Sequence, residues 1–477
     1  MIARMEGIHR MSPSSSQLNP VPTATTPLMI SVAGIRGIVG DALTPDVVAR
    51  FVAAFAQELP PGPVVVGRDA RPTGPMVLRA ALAGLTAAGR DVVDVGLATT
   101  PATQMAVEHL KAAGGVILTA SHNPVEWNAL KFLSDRGEFV DAAVGARVKA
   151  RYTANRELWV TWDRGGSVRE EGGSLEWHLE RVLGLEFIDL KAIRARRLKV
   201  AVDGCASVGG IAVPRLLREL GAEVVEHDCV PNGRFTRVLE PLPEHLGALG
   251  AVVVQSGADL GIAVDPDADR AAFVDASGVP LGEEYTVVLG AAVVLPKRKG
   301  PVVTNLSTSQ MLDSVCARHG VELHRTPVGE ANVVAAMRDL GAVAGGEGNG
   351  GMILPAAHYG RDSLVAAVLV AQAMAASGQT LRQLADGLPR YHMVKEKIAL
   401  PDTPWERAAD QLRSAFADYV VDATDGLRFS RAEEWLHVRA SGTEPVVRVI
   451  AESPSEARTR TLIETARRTL PAATTSS

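Results

Sequence analysis

Short apolar runs alternate with amphipathic stretches along most of the chain, and this alternation predicts repeated strand–helix–strand units. The predicted strands form three successive groups: 64–66, 92–95 and 116–118; then 198–202, 223–226, 251–254 and 262–264; then 301–305, 322–325 and 342–344. Residues 75–89 are typical of a helix closed by a glycine. The pattern therefore predicts three α/β units.

The pattern changes after about residue 395. Predicted helices at 405–419 and 455–470 enclose short strands at 425–429, 434–439 and 446–451, without long crossovers. This arrangement predicts a small α+β domain. The full division is a disordered leader at 1–27, α/β domains at 28–168, 169–283 and 284–395, an α+β domain at 396–470 and a disordered tail at 471–477.

Composition narrows the class of protein. Of 477 residues, 47% are hydrophobic and 22% charged, as expected for globular domains. The 49 basic and 54 acidic residues give a net charge of -5, which predicts no nucleic-acid or membrane partner. No apolar run approaches the ~20 residues that span a bilayer. The leader lacks the apolar core of a signal peptide, and Met11 or Met29 is an alternative start.

The cysteines predict a reducing compartment. The three thiols, Cys205, Cys229 and Cys316, are too few and too scattered for a disulfide framework, and no CxxC pair suggests zinc. We therefore expect a cytoplasmic protein.

Chemistry is expected where strands end, because ligands of open α/β sheets bind at the carboxyl ends of strands. After the strand at 116–118 comes TASHNP, residues 119–124. Ser121 is a candidate nucleophile, and Lys131 is a candidate partner for an anion. The alternative is a plain Ser/Asn-Pro turn. The GxSxG elbow of hydrolases is absent.

After the strand at 262–264 comes DPDADR, which places carboxylates at Asp265, Asp267 and Asp269. An EF-hand loop is excluded, because Arg270 stands where glycine is needed and Ala276 where glutamate is needed. A solvated acidic turn remains possible. A site for a hard cation, most simply Mg²⁺, is favoured, with Arg270 suited to a phosphate beside it.

A glycine-rich loop, GGEGNGG at 345–351, follows the strand predicted at 342–344. It matches GxGxxG, but that match alone is weak, and Glu347 would place a carboxylate against a pyrophosphate. Contacts from Glu347 and Asn349 to a polar ligand are favoured over a dinucleotide site. A flexible loop is the alternative.

The last domain holds RASGTEP, residues 439–445, after a predicted strand. Arg439, Ser441 and Thr443, together with loop N–H groups, have the composition of a phosphate-binding loop. A polar turn is the alternative.

The four loops, in the order TASHNP, DPDADR, GEGNGG and RASGTEP, resemble those of the α-D-phosphohexomutase superfamily. SVAGIRG at 31–37 and RTPVG at 325–329 support the resemblance, which covers about residues 29–470. It implies four domains around a central cleft: three related α/β mixed-sheet units and a smaller C-terminal α+β domain of the TBP-like type.

The resemblance also implies a role for each motif. Ser121 would be the phosphoserine, and the catalytic candidates around the reacting phosphoryl group are Arg36, His122, Lys131 and Arg270. One Mg²⁺ would be held by Asp265, Asp267, Asp269 and the phosphoryl group of Ser121. Glu347 and Asn349 would bind sugar hydroxyls, and Arg439, Ser441, Gly442 and Thr443 the non-reacting phosphate. The acid/base group stays open between Lys131, His358 and Glu330.

The implied activity interconverts hexose 6-phosphate and hexose 1-phosphate through a 1,6-bisphosphosugar, which also serves as activator. GEGNGG differs from the GEMSGH and GEQSGH forms of other members and resembles an archaeal form, which favours glucosamine phosphate over mannose or glucose phosphate. A serine-dependent sugar phosphatase and a non-catalytic sugar-phosphate sensor are the alternatives of another class. A phosphate-binding loop in a fourth domain favours the mutase. A monomer and a homodimer are both compatible with the sequence.

Overall fold

The computed structural model describes residues 26–31, 34–155, 159–399, 405–440 and 446–470. Within these residues the strands form four sheets of seven, four, five and five strands. The first three sheets are mixed and the last is antiparallel, which confirms three α/β units followed by a smaller α+β domain. The predicted tail and almost all of the predicted leader lie outside the described residues.

The first sheet has a parallel centre and one antiparallel edge. Its strands, in the order β1-β2-β6-β5-β3-β4-β7, are β1 (Met29–Ser31), β2 (Gly34–Ile38), β3 (Val64–Arg68), β4 (Val92–Leu97), β5 (Gly114–Leu118), β6 (Trp127–Leu133) and β7 (Val168–Glu170). The helices are α1 (Pro45–Ala56), α2 (Gly74–Ala87), α3 (Thr100–His109) and α4 (Ala142–Ala154). Val64 and Val66 join the core on one face of the sheet and Val65 the core on the other, as strand alternation requires.

The second and third sheets repeat this plan of parallel strands followed by an antiparallel neighbour. The second domain contains α5 (Ser174–Leu183), α6 (Leu190–Arg196), β8 (Lys199–Asp203), α7 (Gly209–Glu219), β9 (Glu223–His227), α8 (Gly247–Ser256), β10 (Leu260–Val264) and β11 (Ala271–Asp275), with sheet order β11-β10-β8-β9. The third contains α9 (Tyr285–Val294), β12 (Val302–Asn305), α10 (Met311–His319), β13 (Leu323–Thr326), α11 (Glu330–Leu340), β14 (Ala344–Glu347), β15 (Gly351–Leu354), β16 (His358–Arg361), α12 (Ser363–Ser377) and α13 (Leu381–Asp386), with order β13-β12-β14-β15-β16.

The fourth domain is an antiparallel sheet with two helices. It contains β17 (His392–Ala399), α14 (Trp405–Ala415), β18 (Val420–Asp422), β19 (Leu427–Arg431), β20 (Glu434–Ala440), β21 (Val446–Ser453) and α15 (Glu456–Thr469), in the order β17-β21-β20-β19-β18. The predicted limits near residues 168 and 395 fall inside β7 and β17, whose partners lie in the first and fourth sheets.

One predicted strand is wrong. Residues 251–254 lie in helix α8, which buries Leu249 and Val253 and ends at Gly257 in the left-handed region. A short apolar run cannot distinguish a buried helix from a strand by its pattern alone. The strand predicted at 342–344 begins later, as β14.

The second and third domains share one continuous apolar core. Helix α12 is buried along most of its length and contacts helices of both domains, among them α5, α6, α7 and α9. A helix that is apolar on all sides is expected in such a position. The loops that follow β10 and β14 are therefore carried by one packed unit. No helix among the described residues has both the length and the apolar character needed to cross a membrane.

Candidate active site

Ser121 lies at the carboxyl end of β5 in a strained backbone conformation. Its φ is 48°, in the left-handed region that L-residues other than glycine seldom adopt. Its N–H donates to Oγ1 of Thr119 at 2.9 Å, and its hydroxyl donates to Oδ2 of Asp265 at 2.8 Å. Such strain persists only where surrounding contacts fix it, and it concentrates at functional sites.

Those fixing contacts come from Arg71, which is fully buried. Its guanidinium donates to the carbonyl oxygens of Ser121, Asn123 and Pro124, each at 2.6 Å, and to that of Trp127 at 3.0 Å. Asp69 accepts from Nε of Arg71 at 3.2 Å and from the hydroxyl of Thr119 at 2.6 Å. One arginine thus satisfies the buried carbonyl groups of the serine loop and sets the loop's shape.

The three aspartates of DPDADR follow β10 and are fully buried, with one oxygen of each within 4.8 Å of the others. The first domain holds this loop from one side. Oδ2 of Asp267 accepts from Nζ of Lys131 at 2.8 Å and from the hydroxyl of Thr100, the first residue of α3, at 2.7 Å. The third domain holds it from the other, because Ser363 donates its hydroxyl to the carbonyl of Ala268 at 2.7 Å.

The buried charges of the triad act on one another and on Lys131. Burial and the adjacent Asp269 and Asp267 raise the pKa of Asp265 well above its usual value. Burial alone would also raise the pKa of Asp267, but the ammonium of Lys131 holds it below the usual range. In turn, although burial opposes the charge of Lys131, Asp267 and Asp269 raise its pKa, so it is an ammonium.

A divalent cation fits this donor set. Oδ1 of Asp267 and Oδ1 of Asp269 are buried and have no hydrogen-bond partner among the described residues. Buried carboxylate oxygens are normally paired, and hard cations with oxygen ligands pair them. Asp265, Asp267 and Asp269 are therefore the residues that could hold a metal ion here.

A cleft of 630 Å³ lies over Ser121, and it brings together several of the predicted catalytic residues. Its lining includes Arg36, Ser121, His122, Lys131 and Arg270. Nη1 of Arg36 donates to Oδ1 of Asn123 at 3.2 Å. Burial and the neighbouring Arg270 and Arg36 lower the pKa of His122 well below its ordinary value, so its imidazole is neutral. The cleft is thus lined by cations around a hydroxyl, which suits an anionic ligand.

The glycine-rich loop connects β14 and β15, and Glu347 lies at its start, almost fully buried. Oε1 of Glu347 accepts from Nδ2 of Asn305 at 2.8 Å and from the N–H of Gly329 at 3.1 Å. Oε2 accepts from Nη1 of Arg361 at 3.0 Å and from Nδ2 of Asn349 at 3.4 Å. Although burial opposes ionisation, Arg361 and Asn305 lower the pKa of Glu347, so it is a carboxylate.

Asn349 presents an acceptor to this region. Because an ionised carboxylate can only accept, the contact with Glu347 assigns Nδ2 of Asn349 to that side. Its Oδ1 is then buried without a hydrogen-bond partner among the described residues. Oδ1 of Asn349 is therefore the acceptor that this contact leaves available, although neither Glu347 nor Asn349 is among the residues that line the cleft over Ser121.

The two further acid/base candidates lie in different places. Glu330 begins α11 and lines the cleft, and burial raises its pKa even though Arg361 lies beside it. His358 is buried, with Nε2 3.0 Å from Oδ2 of Asp362, and is not among the cleft residues. The structure therefore brings Glu330, and not His358, to the cleft that contains Ser121.

The fourth predicted loop is described only at its start. Arg439 lies in β20 with Nη1 4.0 Å from Oδ2 of Asp425, and its Nε has no partner among the described residues. Burial lowers the pKa of Arg439. Ser441, Gly442 and Thr443 lie outside the described residues.

Four residues of the site were missed by the sequence interpretation: Arg71, Thr100, Asn305 and Arg361. Arg71 and Asn305 follow or end predicted strands, so the rule that selected the other loops also applied to them. Thr100 begins a helix and Arg361 ends a short strand. Their partners are distant in sequence, and no local pattern marks them.

Comparison with known proteins gives the family. Models described as phosphoglucomutase/phosphomannomutase match alpha/beta/alpha domain I at residues 29–159, domain II at 178–278, domain III at 282–391 and the C-terminal domain at 397–468. Together they cover most of the chain and include strands of all four sheets.

Individual relatives agree with these models. A phosphoglucomutase/phosphomannomutase of Thermococcus kodakarensis is 36% identical over 441 residues, covering 90% of this chain and 96% of the relative. A phosphoglucosamine/phosphogalactosamine mutase of Sulfurisphaera tokodaii is 31% identical over 432 residues, covering 89% and 94%. The crystal structure of a phosphoglucomutase/phosphomannomutase family protein from Burkholderia thailandensis matches with a TM-score of 0.81 and 28% identity, over 93% of this chain and 98% of that chain. The chain therefore belongs to the phosphoglucomutase/phosphomannomutase family and is an isomerase of the phosphohexomutase class.

Proposed function

We propose that Ser121 carries the phosphoryl group that this enzyme transfers. The observation that supports this most directly is the hydroxyl of Ser121, held 2.8 Å from Asp265 at the base of a cleft lined by Arg36, Lys131 and Arg270. Cations around a transferring phosphoryl group stabilise the charge on its oxygens, and positioning supplies most of the remaining catalysis.

The proposed reaction has two transfers. The bond between phosphorus and Oγ of Ser121 breaks as a bond forms to the free hydroxyl oxygen of a hexose monophosphate, giving a 1,6-bisphosphosugar. The proton of that hydroxyl passes to the acid/base group, and Oγ of Ser121 takes up a proton to become a hydroxyl. The sugar turns over in the cleft, and the other phosphate returns to Ser121. Of Glu330 and His358, Glu330 is the better placed acid/base group, because it lines the cleft and burial raises its pKa. Lys131 stays a cation because Asp267 pairs with it.

Asp265, Asp267 and Asp269 are proposed to hold one Mg²⁺, and the phosphoryl oxygens of Ser121 would add to its ligands. The Oδ1 atoms of Asp267 and Asp269, which have no hydrogen bond among the described residues, support this assignment. When bound, Mg²⁺ neutralises charge on phosphoryl oxygens. The chain's own part is to orient Asp267 through Lys131 and Thr100, and Asp265 through Ser121.

The sugar is proposed to be glucosamine phosphate, with mannose and glucose phosphates as the alternative. The protonated amine of glucosamine has three N–H donors, whereas a hydroxyl has one O–H. Oδ1 of Asn349 has no hydrogen bond among the described residues and belongs to the same loop as the carboxylate of Glu347, so an acceptor near a negative charge suits the amine. Relatives named for both sugar classes match the chain, so their names support either.

We also infer that the enzyme works in the cytoplasm, as a monomer or homodimer. The three cysteines are free and buried, which supports a reducing compartment.

A substrate panel tests the function. Glucosamine, mannose and glucose 6-phosphates are compared by kcat/KM for isomerisation, with a trace of the matching 1,6-bisphosphate. We expect activity with glucosamine 6-phosphate at least about tenfold above the others, a difference of about 1.4 kcal/mol. Ser121→Ala should be inactive with its thermal unfolding unchanged. Release of inorganic phosphate without isomerisation would contradict the mutase, and preference for mannose or glucose phosphate would contradict the sugar.

A further inference from the structure

The guanidinium of Arg361 contacts carboxylates from three separate segments of the chain. Its Nη2 donates to Oδ2 of Asp269 at 2.5 Å, and its Nη1 donates to Oε2 of Glu347 at 3.0 Å. Its Nε lies 3.0 Å from Oε2 of Glu330, and its backbone N–H donates to Oε1 of the same residue at 3.2 Å. Arg361 is thus one side chain shared by the metal loop, the sugar loop and the start of α11.

The path of this side chain depends on Gly351. A Cβ atom at position 351 would lie 2.2 Å from Cδ and 2.8 Å from Cγ of Arg361. These are the middle atoms of the side chain, and its far end is held by three carboxylates. A side chain at 351 and Arg361 in this position therefore exclude each other.

Arg361 fixes which oxygen of each carboxylate is available. It pairs with Oδ2 of Asp269, whereas Oδ1 of Asp269 has no hydrogen bond among the described residues and lies 3.7 Å from Nε of Arg270. It pairs with Oε2 of Glu347, whose other oxygen is held by the third domain itself. Both carboxylates are thus oriented by the two nitrogens of one planar group.

We propose that Arg361 is a positioning residue that sets the distance between the cation-binding carboxylates and the sugar-binding carboxylate. This inference rests on the proposed function for the role of the two loops. A planar fork can hold two carboxylates in fixed relative positions, whereas the point charge of a lysine cannot. The role therefore depends on the shape of the guanidinium and not only on its charge.

Arg361→Lys tests shape against charge, and Arg382→Lys is its matched control. Arg382 also joins the third domain to the second, through a 2.6 Å ion pair with Asp275 at the far end of β11, outside the cleft. The first readout is calorimetric binding of Mg²⁺ to each protein without substrate. Outer contacts that orient metal ligands typically change affinity 10–100-fold. We expect a loss of about that size in Arg361→Lys and none in Arg382→Lys.

The second readout is the steady-state kinetics of the same proteins. Arg361→Lys should raise KM for the hexose phosphate and lower kcat, because the carboxylates of Asp269 and Glu347 lose their fixed relative position. The inference would be overturned if Arg361→Lys bound Mg²⁺ as tightly as the wild type. It would also be overturned if Arg361→Lys and Arg382→Lys lost equal Mg²⁺ affinity. An inactive wild-type enzyme with the expected loss of Mg²⁺ affinity would overturn the proposed function and leave the positioning of Asp269 supported.

Gly351→Ala gives a test that keeps Arg361 in the chain. The added Cβ should displace the guanidinium and lower the affinity for Mg²⁺. A second variant, Arg361→Met, removes the guanidinium and should lower the affinity to the same extent. Adding Gly351→Ala to Arg361→Met should then have little further effect. Such non-additivity is expected of residues acting through one contact. Additive losses would overturn the inference. Thermal unfolding of each variant identifies any that fail to fold. If the Gly351 or Met variants fail, the comparison of Arg361→Lys with Arg382→Lys decides the inference.

Discussion

The hydroxyl of Ser121 and the carboxylate of Asp265 meet at 2.8 Å, although they belong to different domains and lie 144 positions apart. Ser121 follows a strand of the first sheet and Asp265 follows a strand of the second. The contact joins the proposed phosphoryl carrier to the proposed cation site. It means that the site forms only where the two domains pack together.

Removing divalent cations should destabilise the protein. Without a cation, Asp265, Asp267 and Asp269 repel one another, and two of their oxygens have no hydrogen bond among the described residues. Mg²⁺ at 100 times its Kd should restore about 2.7 kcal/mol of stability over the EDTA-treated protein. Thermal unfolding with and without Mg²⁺ measures this. The double variant Asp267→Asn/Asp269→Asn is the control, and an unchanged Mg²⁺ response in it would refute the assignment of the site.

Arg71 should be essential to the serine loop. Arg71→Gln leaves the buried Asp69 without its counter-charge and buried carbonyl groups of the serine loop without their donor, so we expect a loss of about 3–5 kcal/mol in unfolding free energy, with a fall in kcat. Urea unfolding and kinetics measure the two effects. Arg79→Gln is the matched control, because Arg79 makes an exposed 3.4 Å hydrogen bond to the carbonyl of Pro75 on the surface of α2. Equal stability of both variants would contradict the role of Arg71.

The sequence predicted those parts of the site that are local. The apolar runs that precede Ser121 and Asp265 located both loops, because ligands of open α/β sheets bind at the carboxyl ends of the strands. Thr100 and Arg361 were missed, since their partners are brought to them only by the fold. Residues 251–254 were wrongly predicted as a strand, because packing decides the conformation of a short apolar run.

Glu347 should act on substrate binding more than on phosphoryl transfer to Ser121. Glu347→Gln places an amide among the donors of Asn305, Gly329 and Arg361, so the side chain should turn away. We expect KM for the hexose phosphate to rise at least about tenfold, as for loss of a charged hydrogen bond. Phosphorylation of Ser121 by the bisphosphate should persist. The control Glu322→Gln is exposed in the same domain, and an equal KM in both variants would argue against a sugar contact.

The junction of the third and fourth domains should weaken in acid. His437 accepts from the hydroxyl of Ser307 through Nδ1 at 2.9 Å and donates Nε2–H to the carbonyl of Asp425 at 2.6 Å. Burial lowers the pKa of His437 below its ordinary 6.5, although Asp425 opposes this. The unfolded chain therefore takes up this proton first as the pH falls. Stability should decline below about pH 6.5, by at most about 1.4 kcal/mol per pH unit.

His437→Gln should flatten this pH dependence, since glutamine keeps a donor and an acceptor but does not titrate in this range. Thermal unfolding between pH 5 and pH 8, roughly the range in which histidine titrates, measures it. His324→Gln, at a more exposed position, is the control and should follow the wild type. The same slope in His437→Gln and wild type would show that another group is responsible.

The most direct test of the central claim is the phosphorylation state of Ser121. Purified protein is incubated with a hexose 1,6-bisphosphate and Mg²⁺, and its intact mass is measured before and after the incubation. Peptide mapping then locates the phosphate. We predict a species heavier by one phosphoryl group, located on Ser121, which loses that group when hexose monophosphate is added and yields a bisphosphosugar. Absence of phosphate on Ser121, or its location on another residue, would contradict the account.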